Sequence, residues 1–83
     1  MNKKWALLKG SAIGPMGRGQ TGKQKVYEVT LDGTTVTFSW GMAEMPRRQT
    51  KTATYRNQQA AYTAAIEKVY AKVNGGYAIA YAV

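Results

Sequence analysis

Tyr27-Glu28-Val29-Thr30-Leu31-Asp32-Gly33-Thr34-Thr35-Val36-Thr37-Phe38-Ser39-Trp40-Gly41 alternates apolar and polar residues on both sides of Asp32-Gly33. Alternation at period two places one set of side chains on each face of a strand. Asp-Gly between two such runs is a strong hairpin signal, because the tight primed turns need positive φ. With Asp32 and Gly33 as the two turn residues, Leu31 is expected opposite Thr34, Val29 opposite Val36, Tyr27 opposite Phe38 and Lys25 opposite Trp40. One face then carries Tyr27, Val29, Leu31, Val36, Phe38 and Trp40, and the other carries Glu28, Thr30, Thr35, Thr37 and Ser39.

Working outward, Lys4 to Lys9 reads as a short first strand. Residues 10–24 hold Gly10, Gly14, Gly17, Gly19 and Gly22 with Pro15, and read as a flexible glycine-rich loop. Gly41 to Pro46 reads as a turn, and the threonine-rich run from Arg47 to Tyr55 as a further strand with Gln49, Lys51, Ala53 and Tyr55 on one side. Asn57 is suited to cap a helix. Tyr62, Ile66, Val69 and Val73, with Ala61 and Ala65 beside them, recur at helical spacing and predict one amphipathic helix over about 57–73. Asn74-Gly75-Gly76 ends it, glycine fitting a left-handed cap. Tyr77 is expected to seal the helix end against the sheet, and Tyr77 to Val83 to add an edge strand or pack as a tail. The expectation is a single α+β domain over 1–83, an antiparallel sheet of four to five strands with the helix packed on one face.

The 83 residues are 45% hydrophobic and carry 12 Lys and Arg against 4 Asp and Glu, a net charge of +8. The bases cluster in residues 1–25 and 47–83, and the hairpin between them is mildly acidic. So high a charge on so small a body attracts polyanions, although exposed lysines also serve solubility alone. Cysteine and histidine are absent. The usual groups that titrate near neutrality are therefore missing, and no pair of the four carboxylates is placed for acid–base work. No cofactor, metal or small-molecule substrate is expected, and an enzyme is not. Trp5-Ala6-Leu7-Leu8 is too short for a signal-peptide core, and no segment reaches membrane-span length. The chain reads as cytoplasmic, with no membrane partner.

Gly17-Arg18-Gly19-Gln20-Thr21-Gly22-Lys23 has the glycine-x4-glycine-lysine spacing of a phosphate-binding loop. Gln24 stands where Ser or Thr would hold Mg²⁺, and a strand follows where the phosphate cradle needs a helix N-terminus. Arg18 and Lys23 can still meet phosphate without hydrolysis. Trp40 is by default a core residue at strand spacing; at a strand end it can alternatively stack on a sugar or base. Arg47-Arg48-Gln49-Thr50-Lys51 is the densest basic run, either a solvated strand edge or a phosphate contact.

Taken in order, Trp5-Ala6-Leu7-Leu8-Lys9-Gly10, Lys25-Val26-Tyr27-Glu28-Val29, Val36-Thr37-Phe38-Ser39-Trp40-Gly41, Gln49-Thr50-Lys51-Thr52-Ala53-Thr54-Tyr55, and a helix closed by Lys72 and Gly75-Gly76-Tyr77 resemble the WGR domain, named for a Trp-Gly-Arg motif. The resemblance spans about residues 4–80, with Met42 standing where the motif has Arg. It implies an antiparallel sheet with one helix. WGR domains occur alone or fused to other modules in bacteria, and in DNA-break-sensing poly(ADP-ribose) polymerases. In those enzymes they bind near a DNA end, the motif tryptophan packing on a terminal sugar and basic side chains meeting phosphate. The sugar-contacting role carries over to Trp40.

The expected function is a non-catalytic nucleic-acid-binding module that contacts a DNA backbone or DNA end, with DNA favoured over RNA. Its expected contacts are Trp40, Arg47, Arg48, Lys51, Lys23, Lys25 and Arg18. The alternative is a protein-interaction adaptor that uses an apolar turn around Met42, Met45 and Pro46.

Overall fold

The structure, a computed structural model, describes residues 2–10, 24–42 and 47–83. The glycine-rich loop's residues 11–23, with Arg18 and Lys23, and the turn residues 43–46 lie outside the described residues. Five strands and one helix form an α+β fold: β1 (Asn2–Lys9), β2 (Lys25–Asp32), β3 (Thr35–Met42), β4 (Gln49–Thr54), α1 (Gln58–Asn74) and β5 (Ala78–Ala82). The strands build one antiparallel sheet in the order β4-β3-β2-β1-β5. The chain leaves the sheet at one edge, crosses it as α1, and returns at the opposite edge as β5.

The hairpin register differs from the sequence expectation by two residues. Asp32 pairs with Thr35, and Gly33-Thr34 make the turn. Leu31 therefore faces Val36, Val29 faces Phe38, Tyr27 faces Trp40 and Lys25 faces Met42. Gly33, at φ 63°, takes the first central position, where type II′ turns place glycine. This register matches Tyr27, Val29 and Leu31 of β2 with Trp40, Phe38 and Val36 of β3, and cross-strand apolar pairs are the unit of sheet stabilisation. A shift of two leaves each side chain on its expected face.

That face holds the core. Leu7, Val29, Leu31 and Val36 are fully enclosed, and Trp5, Tyr27 and Phe38 nearly so. The helix covers them with Ala61, Ala65 and Val69, all buried, so small residues at i and i+4 let it approach β2 and β3 closely. Tyr62 and Ile66 flank this contact half-buried. Val73, expected on the packing stripe, is exposed. The α-helical stripe turns away from the sheet by the last turn, and the closing contact comes from Tyr77 instead.

Both helix ends follow from local sequence. Asn57 is the N-cap, its Oδ1 accepting from the Ala60 N–H at 2.8 Å. Asn57→Ala is expected to cost about 0.5–2 kcal/mol, a fall in melting temperature of roughly 4–8 °C per kcal/mol, read by circular dichroism. At the other end Gly76, not Gly75, is left-handed, at φ 109°. The Gly76 N–H donates to Val73 O and the Tyr77 N–H to Lys72 O, at 3.1 and 2.9 Å, which is a Schellman closure. Among the described residues no helix is long and apolar enough to cross a membrane.

Candidate nucleic-acid interface

Where β3 ends, the face of the sheet beside α1 is aromatic. The observed register sets Trp40 across from Tyr27, and their rings stack at 5.9 Å between centroids and 15° between planes. Tyr77, held one residue past the left-handed Gly76, meets Tyr27 edge-on at 6.1 Å and 69°. Such offset-stacked and edge-to-face pairs are the favoured arrangements of aromatic quadrupoles. Trp40 is half-buried: one part of it closes the core and the rest faces a cleft. Its packing on the core is thus realised, and the part left over lines the cleft.

The cleft, of about 670 Å³, runs between the C-terminal half of α1 and strands β3 and β4. Its sheet wall presents Tyr27, Phe38, Trp40, Lys51, Ala53 and Tyr55, and its helix wall presents Ala64, Glu67, Lys68, Ala71 and Lys72, with Tyr77 at the end. Lys51 comes to the cleft because it pairs with Phe38 in the β3–β4 ladder and so shares its face. Helical spacing puts Lys68 and Lys72 on one side of α1. Lys72 Nζ stands 4.5 Å from the Tyr27 centroid, and Lys68 Nζ 5.5 Å from that of Phe38. Lys9 Nζ approaches Tyr77 at 5.6 Å. Each ammonium over a ring gains about 0.5–2 kcal/mol, which fixes the lysines over the aromatic floor while leaving their donors for an anion.

Burial, and next the neighbouring Tyr77 phenol, raise the Tyr27 hydroxyl above the ordinary tyrosine value of 10.0. The folded chain then binds more protons than the unfolded chain once pH passes that ordinary value. Stability is expected to be level in this term below pH 10 and to fall as pH rises from there through the folded-state value. Urea midpoints measured on the alkaline side check this. Tyr27→Phe should flatten the decline.

The residues expected from sequence divide. Trp40 and Lys51 line the cleft. Lys25 stands one strand step beyond Tyr27 on the same face, exposed, next to Met42 and Lys9 in the ladders and outside the cleft. Arg48 lies on the other face: its Nη1 is 3.5 Å from Glu28 Oε2, and Lys4 Nζ is 3.8 Å from Glu28 Oε1. Arg47 is exposed beside β4. Its carbonyl passes 3.2 Å from where a Cβ on Gly41 would be, which accounts for glycine directly after Trp40. Lys68, Lys72, Lys9 and Tyr77 were not singled out as site residues from sequence. The signal was the i, i+4 spacing of Lys68 and Lys72, which on a helix beside an aromatic strand end marks a shared cationic side.

Searches against models of known protein families, curated protein sequences and solved structures find no match.

Proposed function

We propose that this chain is a non-catalytic, nucleic-acid-binding module of the WGR type, and that the cleft is its contact surface with a DNA backbone or DNA end. The observation that carries this is the meeting of Trp40 and Tyr27 with Lys51, Lys68 and Lys72 in one concavity. Aromatic platforms and cations along a groove are the two elements of sequence-tolerant nucleic-acid binding. A net charge of +8 supplies long-range attraction. Among the described residues, Glu67 is the one carboxylate on the cleft wall, against three ammonium groups. In place of the motif arginine at Met42, the lysines of α1 supply the charge.

Fluorescence anisotropy with labelled DNA across a salt series tests the proposal. Three phosphate contacts predict a log–log salt slope of about −2 to −3. No binding at low salt, or binding indifferent to salt, would refute it.

The adaptor reading is favoured by a different observation. Ile79 and Tyr81 on β5, Val83 one residue past it and Tyr70 on α1 are exposed, and β5 carries no charge. Exposed apolar residues on a strand edge suit a protein partner. A pull-down with the purified chain that recovers only nucleic acid after high-salt washing would count against this reading.

A further inference from the structure

We propose that the cleft takes one unpaired nucleic-acid strand, bases against its aromatic rings and phosphates against the lysines of both walls. This rests on the nucleic-acid reading above and narrows it to a single-stranded stretch or a frayed end.

The cations of the helix, with Lys51 of the sheet, are inside a concavity, whereas Lys25, Arg47 and Arg56 stand exposed outside it. The only basic residues of α1 are Lys68 and Lys72, and both line the cleft. Exposed helix positions Gln59, Thr63, Tyr70 and Asn74 carry no positive charge. A helix that reads a duplex enters the major groove with its outer side chains on base edges and phosphates, and α1 presents no such surface.

Among the described residues, the opposite face of the sheet offers no substitute. Threonine hydroxyls occupy it, with Thr35 against Thr54 and Thr37 against Thr52 at 3.4 Å. Lys4 and Arg48 share the Glu28 carboxylate there.

Within the cleft, Lys51 and Lys68 bracket the same ring from opposite walls. Lys51 is the ladder partner of Phe38, and Lys68 Nζ stands over it. Bases in an intact duplex have their faces covered by neighbours, so only unpaired bases reach rings set inside a channel. Trp40, Tyr55 and Tyr77 are the half-buried rings of the lining and the ones an unpaired base would meet.

The test measures the wild-type chain at low salt against four labelled probes. These are an oligothymidylate and an oligouridylate of about a dozen nucleotides, a blunt duplex of equal length, and an abasic deoxyribose-phosphate strand. The expected result is that at least one single strand binds about tenfold or more tighter than both the duplex and the abasic strand. The tighter of the two single strands identifies the sugar. Duplex binding as tight as the single strands overturns the inference and leaves the nucleic-acid reading standing. An abasic strand that binds as tightly as the base-bearing ones overturns it too, because the rings would then contribute nothing. Failure of all four probes to bind overturns both.

Discussion

Reversing the charge on both walls of the cleft, with Lys51→Glu and Lys68→Glu together, is expected to reduce nucleic-acid affinity by about a hundredfold at low salt. Each lysine removed from a phosphate contact weakens binding across all sequences and lowers the salt slope by about one. Replacement by glutamate adds repulsion beside Glu67, already on the helix wall. Both side chains are at least partly solvent-facing, so the fold should survive, with an unchanged circular dichroism spectrum. Arg48→Glu supplies the contrast. That guanidinium is on the far side of the sheet with Glu28, and its reversal is expected to change affinity about threefold or less, through net charge alone. If Arg48→Glu weakened binding as much as the double reversal, the contact surface would not be the cleft.

Leu31→Ala is expected to remove a large part of the folding free energy. Leu31 is 1% exposed, pairs with Val36, and lies in the cluster beneath α1. Truncating a buried leucine costs about 2–5 kcal/mol through lost transfer energy and the cavity left behind. A domain of this length has a total stability of about 4–12 kcal/mol. A large drop in urea midpoint, or loss of cooperative unfolding, is therefore expected. Its neighbour Thr30 points to the other face, and Thr30→Ala should change stability by about 0.5 kcal/mol or less. Equal effects at the two positions would contradict the observed alternation.

The fold was largely legible because local signals agree with one another. Alternation from Tyr27 to Trp40 set the faces of the hairpin, Asn57 set the helix start, and Asn74-Gly75-Gly76 set its end. The turn was misplaced by one residue because Asp-Gly is a favourable pair in isolation. What decided the register was the pairing of Leu31 with Val36 and Tyr27 with Trp40, a cross-strand quantity. That shift matters for the site, since it brings an aromatic ring and not Lys25 beside the tryptophan. Half of the cleft was hidden for a related reason. Trp40 and Lys51 are visible on strands, but which side of α1 faces them depends on how Ala61, Ala65 and Val69 seat the helix. The parity of Arg48 within its basic run, in turn, sends it to the face that carries Glu28.

The crossing of α1 from one sheet edge to the other has a consequence for the order in which the molecule comes together. Tyr27, Trp40 and Lys51 belong to neighbouring strands joined by short connections, whereas Lys72 and Tyr77 reach them only once α1 has docked and β5 has zipped onto β1. The floor of the cleft is thus a piece held by contacts near in sequence, and its end wall a piece held by contacts distant in sequence. Amide exchange should find the carboxy-terminal strand opening first, and an occupant that touches both pieces should slow that opening, tightening the least durable seam of the molecule.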